Sequence, residues 1–113
     1  MCGFVGYFKP KELNFNLDLK EASKTIIHRG PDMQNNVISG GYNIYFNRLS
    51  INDLSANGQQ PFSYNGNIVY ANGEIYNHKE IRVVHKNEIS FNSGSDIEVI
   101  PFLYHKYGMN FLN

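Results

Sequence analysis

Cys2 is the only cysteine of this 113-residue chain, and it directly follows Met1. Removal of Met1 would leave a thiol and a free α-amine on one carbon, and a small second residue suits that removal. An α-amine ionises near about pH 7.7–8.0 and a thiol near about 8.5. One residue then holds both a nucleophile and a base near neutral pH, with no His or Asp partner required. Gly3 leaves the neighbouring backbone approachable. The same cysteine could instead fill a core, because free cysteine is among the most buried residue types.

Acyl transfer through a thiol also needs donors for the developing oxyanion. The stretch "ANGEIYN" (71–77) offers them. The Asn72 side-chain amide is one donor, and the Gly73 backbone N–H is a second, unobstructed by a β-carbon. Glu74 follows and can bind an ammonium group. An ordinary turn uses the same residues, since Asn-Gly is a common turn dipeptide. Arg48 can fork onto a carboxylate or stand solvated on the outside of a strand. Asp96 can bind a cation or complement a helix dipole. "HRGPD" (28–32) can serve simply to end a helix.

These residues need elements to carry them. "GFVGYF" (3–8) reads as a glycine-interrupted strand ended by Pro10. "LDLKEASKTIIHR" (17–29) reads as a helix with Leu19, Ala22 and Ile26 on one face, stopped by Gly30-Pro31. "NNVIS" (35–39) and "YNIYFNRLSI" (42–51) read as a hairpin around Gly40-Gly41. Residues 52–61 read as a loop. Asn65-Gly66 is a second tight turn, leading into a strand over "NIVYANGE" (67–74) that ends at Gly73. "NHKEIRVVHKN" (77–87) reads as a helix and "ISFN" (89–92) as a short strand. "SDIE" (95–98) fits a capping box for the last helix, with Ser95 as N-cap and Glu98 reaching back. Ile97, Ile100, Leu103 or Tyr104, and Tyr107 would share its buried face. Pro101 predicts a kink, or a helix that starts later than its cap suggests, because an interior proline costs about 3 kcal/mol. The sum is an α+β fold with antiparallel hairpins.

Composition narrows the functions. Ten basic residues balance ten acidic ones, and no basic patch is visible, so nucleic acid is not an expected partner. No apolar run approaches the roughly 20 residues of a membrane span. The N-terminus lacks the basic and apolar regions of an export signal, and a cytoplasmic location is expected. A lone cysteine excludes an internal disulfide.

The motifs "MCGFVGYF", "HRGPD", "NRLSINDLS", "GQQPF", "NGEIYNH" and "SGSDIEVI…YHKYG" occur in that order. Together they closely resemble the glutaminase domain of class II, N-terminal-nucleophile glutamine amidotransferases, and the asparagine synthetase branch in particular. The resemblance implies a glutamine amidotransferase type-2 domain over 1–113, part of an Ntn-hydrolase αββα sandwich whose C-terminal portion lies beyond this chain. It implies Cys2, Asn72 and Gly73 as catalytic residues. It implies Arg48, Leu49, Ile51, Asn72, Glu74 and Asp96 as the glutamine-binding set, Leu49 and Ile51 through their backbone. One cation and two anions suit a zwitterionic amino acid. No metal or cofactor is implied in this chain. ATP and magnesium belong to a synthetase domain, absent here, that amidates aspartate, and a synthetase domain or subunit on another chain is an expected partner. Two other functions fit the same residues: a non-catalytic remnant or regulatory fragment, and an amidotransferase of surface-polysaccharide synthesis.

Overall fold

The structure is a computed structural model that describes residues 2–8, 18–39 and 41–113. Pro10, Leu17 and Gly40, which bound elements in the sequence analysis, lie outside the described residues. The fold is α+β with antiparallel sheets and divides into two units, Met1–Ser50 and Ile51–Asn113. No helix among the described residues is long and apolar enough to cross a membrane.

Among the described residues, the first unit is a three-stranded sheet with one helix. Strands β1 (Gly3–Phe8), β2 (Met33–Ser39) and β3 (Tyr42–Arg48) lie in the order β1-β3-β2, antiparallel throughout. Helix α1 (Leu19–Thr25) precedes β2, and the Asp18 carboxylate caps it by accepting from the Glu21 N–H at 3.1 Å. A short 3-10 turn, Ile27–Arg29, follows before Gly30. The face toward the helix carries a polar row: Gly3 lies opposite Asn47, and Asn47 opposite Gln34. Asn47 donates to the Ser23 carbonyl at 3.0 Å. Gln34 donates to both the Ser23 hydroxyl and the Asn47 amide oxygen. Asn47 and Ser23 are fully buried, so these bonds satisfy groups that would otherwise be costly to bury. Sequence periodicity places Ala22 and Ile26 on the buried face with Leu19. Both are only half-buried, and Ser23 takes the inner position because the sheet offers it an amide partner.

The second unit pairs strands β4 (Phe62–Tyr64) and β5 (Asn67–Val69) in a hairpin. Asn65 and Gly66 both have positive φ, 46° and 81°, the backbone that a two-residue hairpin turn demands. Helix α2 spans His78–Val84. A 3-10 turn, Asp96–Glu98, leads into α3, Val99–Tyr107. Phe102 centres this core, edge-on to Tyr64, His85 and Phe91 with ring centroids 5.0–6.1 Å apart. Burying such a ring contributes about 1.5–3 kcal/mol. Ile97, Val99 and Pro101 are buried beside it in sequence, whereas Tyr104 and Tyr107 are exposed.

Three sequence expectations change here. The strand expected over 67–74 ends at Val69, because the Gln60 side chain takes both backbone groups of Ala71. "ISFN" forms no strand. Its backbone is claimed elsewhere: Ile89 N–H donates to His85 O, and Asn92 N–H to the Glu98 carboxylate. Ser95 makes no side-chain cap, and Glu98 reaches past it to Asn92 and Ser93. The late start of α3 puts Pro101 in its first turn, where a missing N–H costs little.

Candidate active site

In the first unit the Cys2 sulfur sits at the end of β3. The Leu49 N–H donates to Sγ at 3.3 Å, and the thiol donates to Leu49 O at 3.5 Å. The same residue is held from behind, where Arg29 Nε donates to the Cys2 carbonyl at 3.3 Å. Gly3 is not an open approach. A β-carbon there would press on Ile26 and Arg29 at 3.2–3.3 Å, so the glycine lets the end of α1 and its following turn close onto β1.

"HRGPD" does more than end a helix. Gly30 is buried against β3 so closely that a β-carbon would fall 2.1 Å from Asn47 O. Two residues on, Asp32 N–H donates to Arg48 O at 3.0 Å, and its carboxylate accepts from Ser50 N–H at 2.7 Å. The motif therefore braces residues 48–50, the segment that holds the thiol. Arg48 is buried, 4% exposed, and Nη1 lies 3.6 Å from Met33 Sδ, its register partner across the sheet. This overturns the outward, solvated reading of Arg48. A buried guanidinium needs oxygen or sulfur partners, and such cations are seldom buried without a task.

In the second unit Asn72, Gly73 and Glu74 form an exposed arch. Both feet are pinned. At one, Gln60 Nε2 donates to Ala71 O at 3.0 Å while Gln60 Oε1 accepts from Ala71 N–H at 2.7 Å. At the other, Asp96 Oδ2 accepts from Ile75 N–H at 2.7 Å. Asp96 Oδ1 accepts from Asn52 Nδ2 at 2.9 Å, and the residue is 4% exposed. Its helix-dipole reading gives way to that of a loop anchor. The space around Gly73 is open, with no heavy atom within 4 Å of where a β-carbon would stand. Ile51 points outward, 66% exposed.

The structure thus brings Cys2 and Leu49 together beside Arg48, and joins Asp96 to the arch that carries Asn72, Gly73 and Glu74. Sequence reasoning missed three supporting residues: Asp32, Gln60 and Asn52. The first two lie inside "HRGPD" and "GQQPF", but nothing local marks a side chain that will bond backbone more than ten residues away.

Residues 1–113 match a family model described as a glutamine amidotransferase domain. The chain is 41% identical over 120 residues to asparagine synthetase [glutamine-hydrolyzing] 2 of Bacillus subtilis, covering all of this chain and 16% of that protein. It is 38% identical over 116 residues to asparagine synthetase B [glutamine-hydrolyzing] of Escherichia coli, covering all of this chain and 21% of that protein. It is also 38% identical over 104 residues to amidase chyE of Penicillium rubens, covering 90% of this chain and 15% of that protein. The chain spans 15–21% of the length of these curated relatives.

Proposed function

The chain belongs to the glutamine amidotransferase domain family, and on that premise we propose that it hydrolyses the side-chain amide of glutamine to glutamate and ammonia, with Cys2 as nucleophile. Once Met1 is removed, the α-amine of Cys2 takes the thiol proton as sulfur attacks the carboxamide carbon. The Asn72 side-chain amide and the Gly73 N–H hold the resulting oxyanion. The C–N bond then breaks, and the α-amine returns the proton to departing ammonia. Water hydrolyses the thioester, releasing glutamate and restoring the thiol.

Arg48 grips the α-carboxylate of glutamine, and Glu74 and Asp96 its α-ammonium. Backbone groups at Leu49 and Ile51 line the same pocket. The two antiparallel sheets are part of an αββα sandwich. The ammonia goes to a synthetase domain or to a subunit on another chain, where ATP and magnesium activate aspartate. That acceptor follows from the likeness to asparagine synthetases.

The observation that carries this reading is the thiol held by both backbone groups of Leu49, next to a buried Arg48. The test begins with the N-terminal mass of the purified chain and continues with glutamine turnover. Met1-free protein should release glutamate and ammonia in equal amounts, and Cys2→Ala should abolish both. A glutamine-like electrophile such as diazo-oxo-norleucine should add to Cys2. Retained Met1, or Met1-free protein with neither turnover nor adduct, sinks the proposal and leaves the non-catalytic fragment.

A further inference from the structure

We infer that Arg82 is a positioning residue for the glutamine-binding arch, acting through the backbone that carries Asp96; the inference rests on the glutaminase reading above. Arg82 lies on α2 and touches none of the proposed catalytic groups. Its Nη1 donates to Ser93 O at 2.9 Å, and its Nη2 donates to Ser95 O at 2.6 Å and to Glu98 Oε2 at 3.2 Å. The guanidinium carbon stands 4.5 Å from the centroid of the Phe91 ring, close enough for a cation–π contact. Arg82 and Glu98 are both largely buried, with side chains 20% and 13% exposed.

The pair divides the turn at 92–95 between them. Glu98 accepts from Asn92 N–H, Ser93 N–H and the Ser93 hydroxyl, at 2.7–3.0 Å. Arg82 supplies the donors for the carbonyls of Ser93 and Ser95. The Asp53 carboxylate takes the Gly94 N–H at 2.7 Å, and the Ser93 hydroxyl oxygen takes the Ser95 N–H at 3.2 Å. Apart from the Arg82–Glu98 bond and the bond from the Ser93 hydroxyl, which join side chains, these bonds hold backbone immediately before Asp96. The Ser95 carbonyl belongs to the peptide group whose nitrogen is that of Asp96, so a shift of that carbonyl moves the Asp96 backbone directly. Asp96 in turn holds Ile75 N–H, one residue beyond Glu74. The path runs from Arg82 through Ser95 and Asp96 to Ile75 without a gap.

A planar fork suits this turn, because the two carbonyls are held through separate nitrogens, Nη1 on Ser93 O and Nη2 on Ser95 O. A lysine keeps the charge against Glu98 and Phe91 but cannot hold both carbonyls at once. Arg82→Lys is therefore the informative variant, with Arg82→Met as the more severe one.

Both are made in the full chain. They are followed by amide exchange in an isotope-labelled sample, by glutamine kinetics, and by the alkylation rate of Cys2 with iodoacetamide, a reagent that needs no amino-acid pocket. In Arg82→Lys the Ile75 amide should exchange about tenfold faster while the Leu103 and Tyr104 amides, farther along α3, keep their protection. KM for glutamine should rise about fivefold with kcat within about twofold of wild type. Cys2 alkylation should be unchanged, and Arg82→Met should exaggerate each effect. Unaltered Ile75 exchange with unaltered KM in folded Arg82→Lys overturns the inference. So does a uniform loss of protection across α3 and the arch alike, which would make Arg82 a stability staple only. If the wild type turns over no glutamine, the glutaminase reading fails by itself, and Ile75 exchange still decides whether Arg82 positions the arch.

Discussion

Gly30 admits no side chain at all, since its neighbours there are backbone atoms of β3 that cannot step aside. Gly30→Ala should cost about 3 kcal/mol or more of unfolding free energy, at the upper end of overpacking effects. Denaturant titration would check it, and a loss under 1 kcal/mol, within about the range of a benign substitution, would show that the loop can lift away. Asp32→Ala should be milder, about 1–2 kcal/mol, because one backbone donor at Ser50 loses a charged acceptor near the surface. At this scale the sequence was informative where chemistry is carried by residue type. Cys2, Arg48 and Asp96 stood out because a thiol, a guanidinium and a carboxylate can be named without coordinates. Asp32, Gln60 and Arg82 did not, because their work is bonding to backbone 11 to 18 residues away.

At the scale of elements, side chains replace strand partners in this protein. Gln60 supplies Ala71 with the donor and acceptor that a neighbouring strand would otherwise provide. Gln60→Leu should leave both Ala71 groups unpaired and cost about 1–3 kcal/mol. It should also lower kcat for glutamine more than it raises KM, because Ala71 directly precedes the proposed oxyanion donor Asn72, and steady-state kinetics would read the difference. The Gln60 bonds explain why β5 is shorter than its residues suggest: alternation and composition report strand preference but say nothing of which group will meet the backbone. The Asn65-Gly66 turn was legible because its conformational demand is local.

A second element-scale feature ties α3 to the turn after α2. Lys106 donates to both Glu88 oxygens, at 2.6 and 2.7 Å, and His85 Nδ1 lies 2.8 Å from the same carboxylate. The Lys106 bond, then the His85 bond, lowers the Glu88 pKa from its ordinary value. The bond to Glu88 raises that of Lys106. A lowered carboxylate stabilises the fold above its unfolded pKa and ceases to do so as pH falls through its folded one. The Lys106 contribution is complete below its unfolded pKa and is lost as pH rises through its raised folded value. The pair is exposed, so the effect is small. Wild type should melt slightly higher than Glu88→Gln at neutral pH, and the two should converge under acid conditions that protonate Glu88. A difference that persists in acid would rule out the ion pair as its source.

For the whole molecule, charge is balanced, with ten acidic and ten basic residues and an isoelectric point near 6.9. Large apolar side chains are exposed as well, among them Phe8, Ile38, Leu54 and Tyr76. A chain without net charge has little repulsion to keep copies apart. Its solubility should pass through a minimum near neutral pH and rise on either side, which light scattering across a pH series would reveal. A flat profile would mean that these side chains do not drive association. The α+β class was legible at this scale because it needs only the order of elements. The division into two units was not, because it depends on which residues meet and not on which follow one another.

In the proposed mechanism Asp96 has two jobs: it recognises a substrate charge and it fastens Ile75. Asp96→Ala therefore removes a ligand and loosens the arch in one stroke, and the measured loss mixes both. Glu74 is exposed and lies between the pinned feet. It is the position at which charge recognition can be read separately from shape.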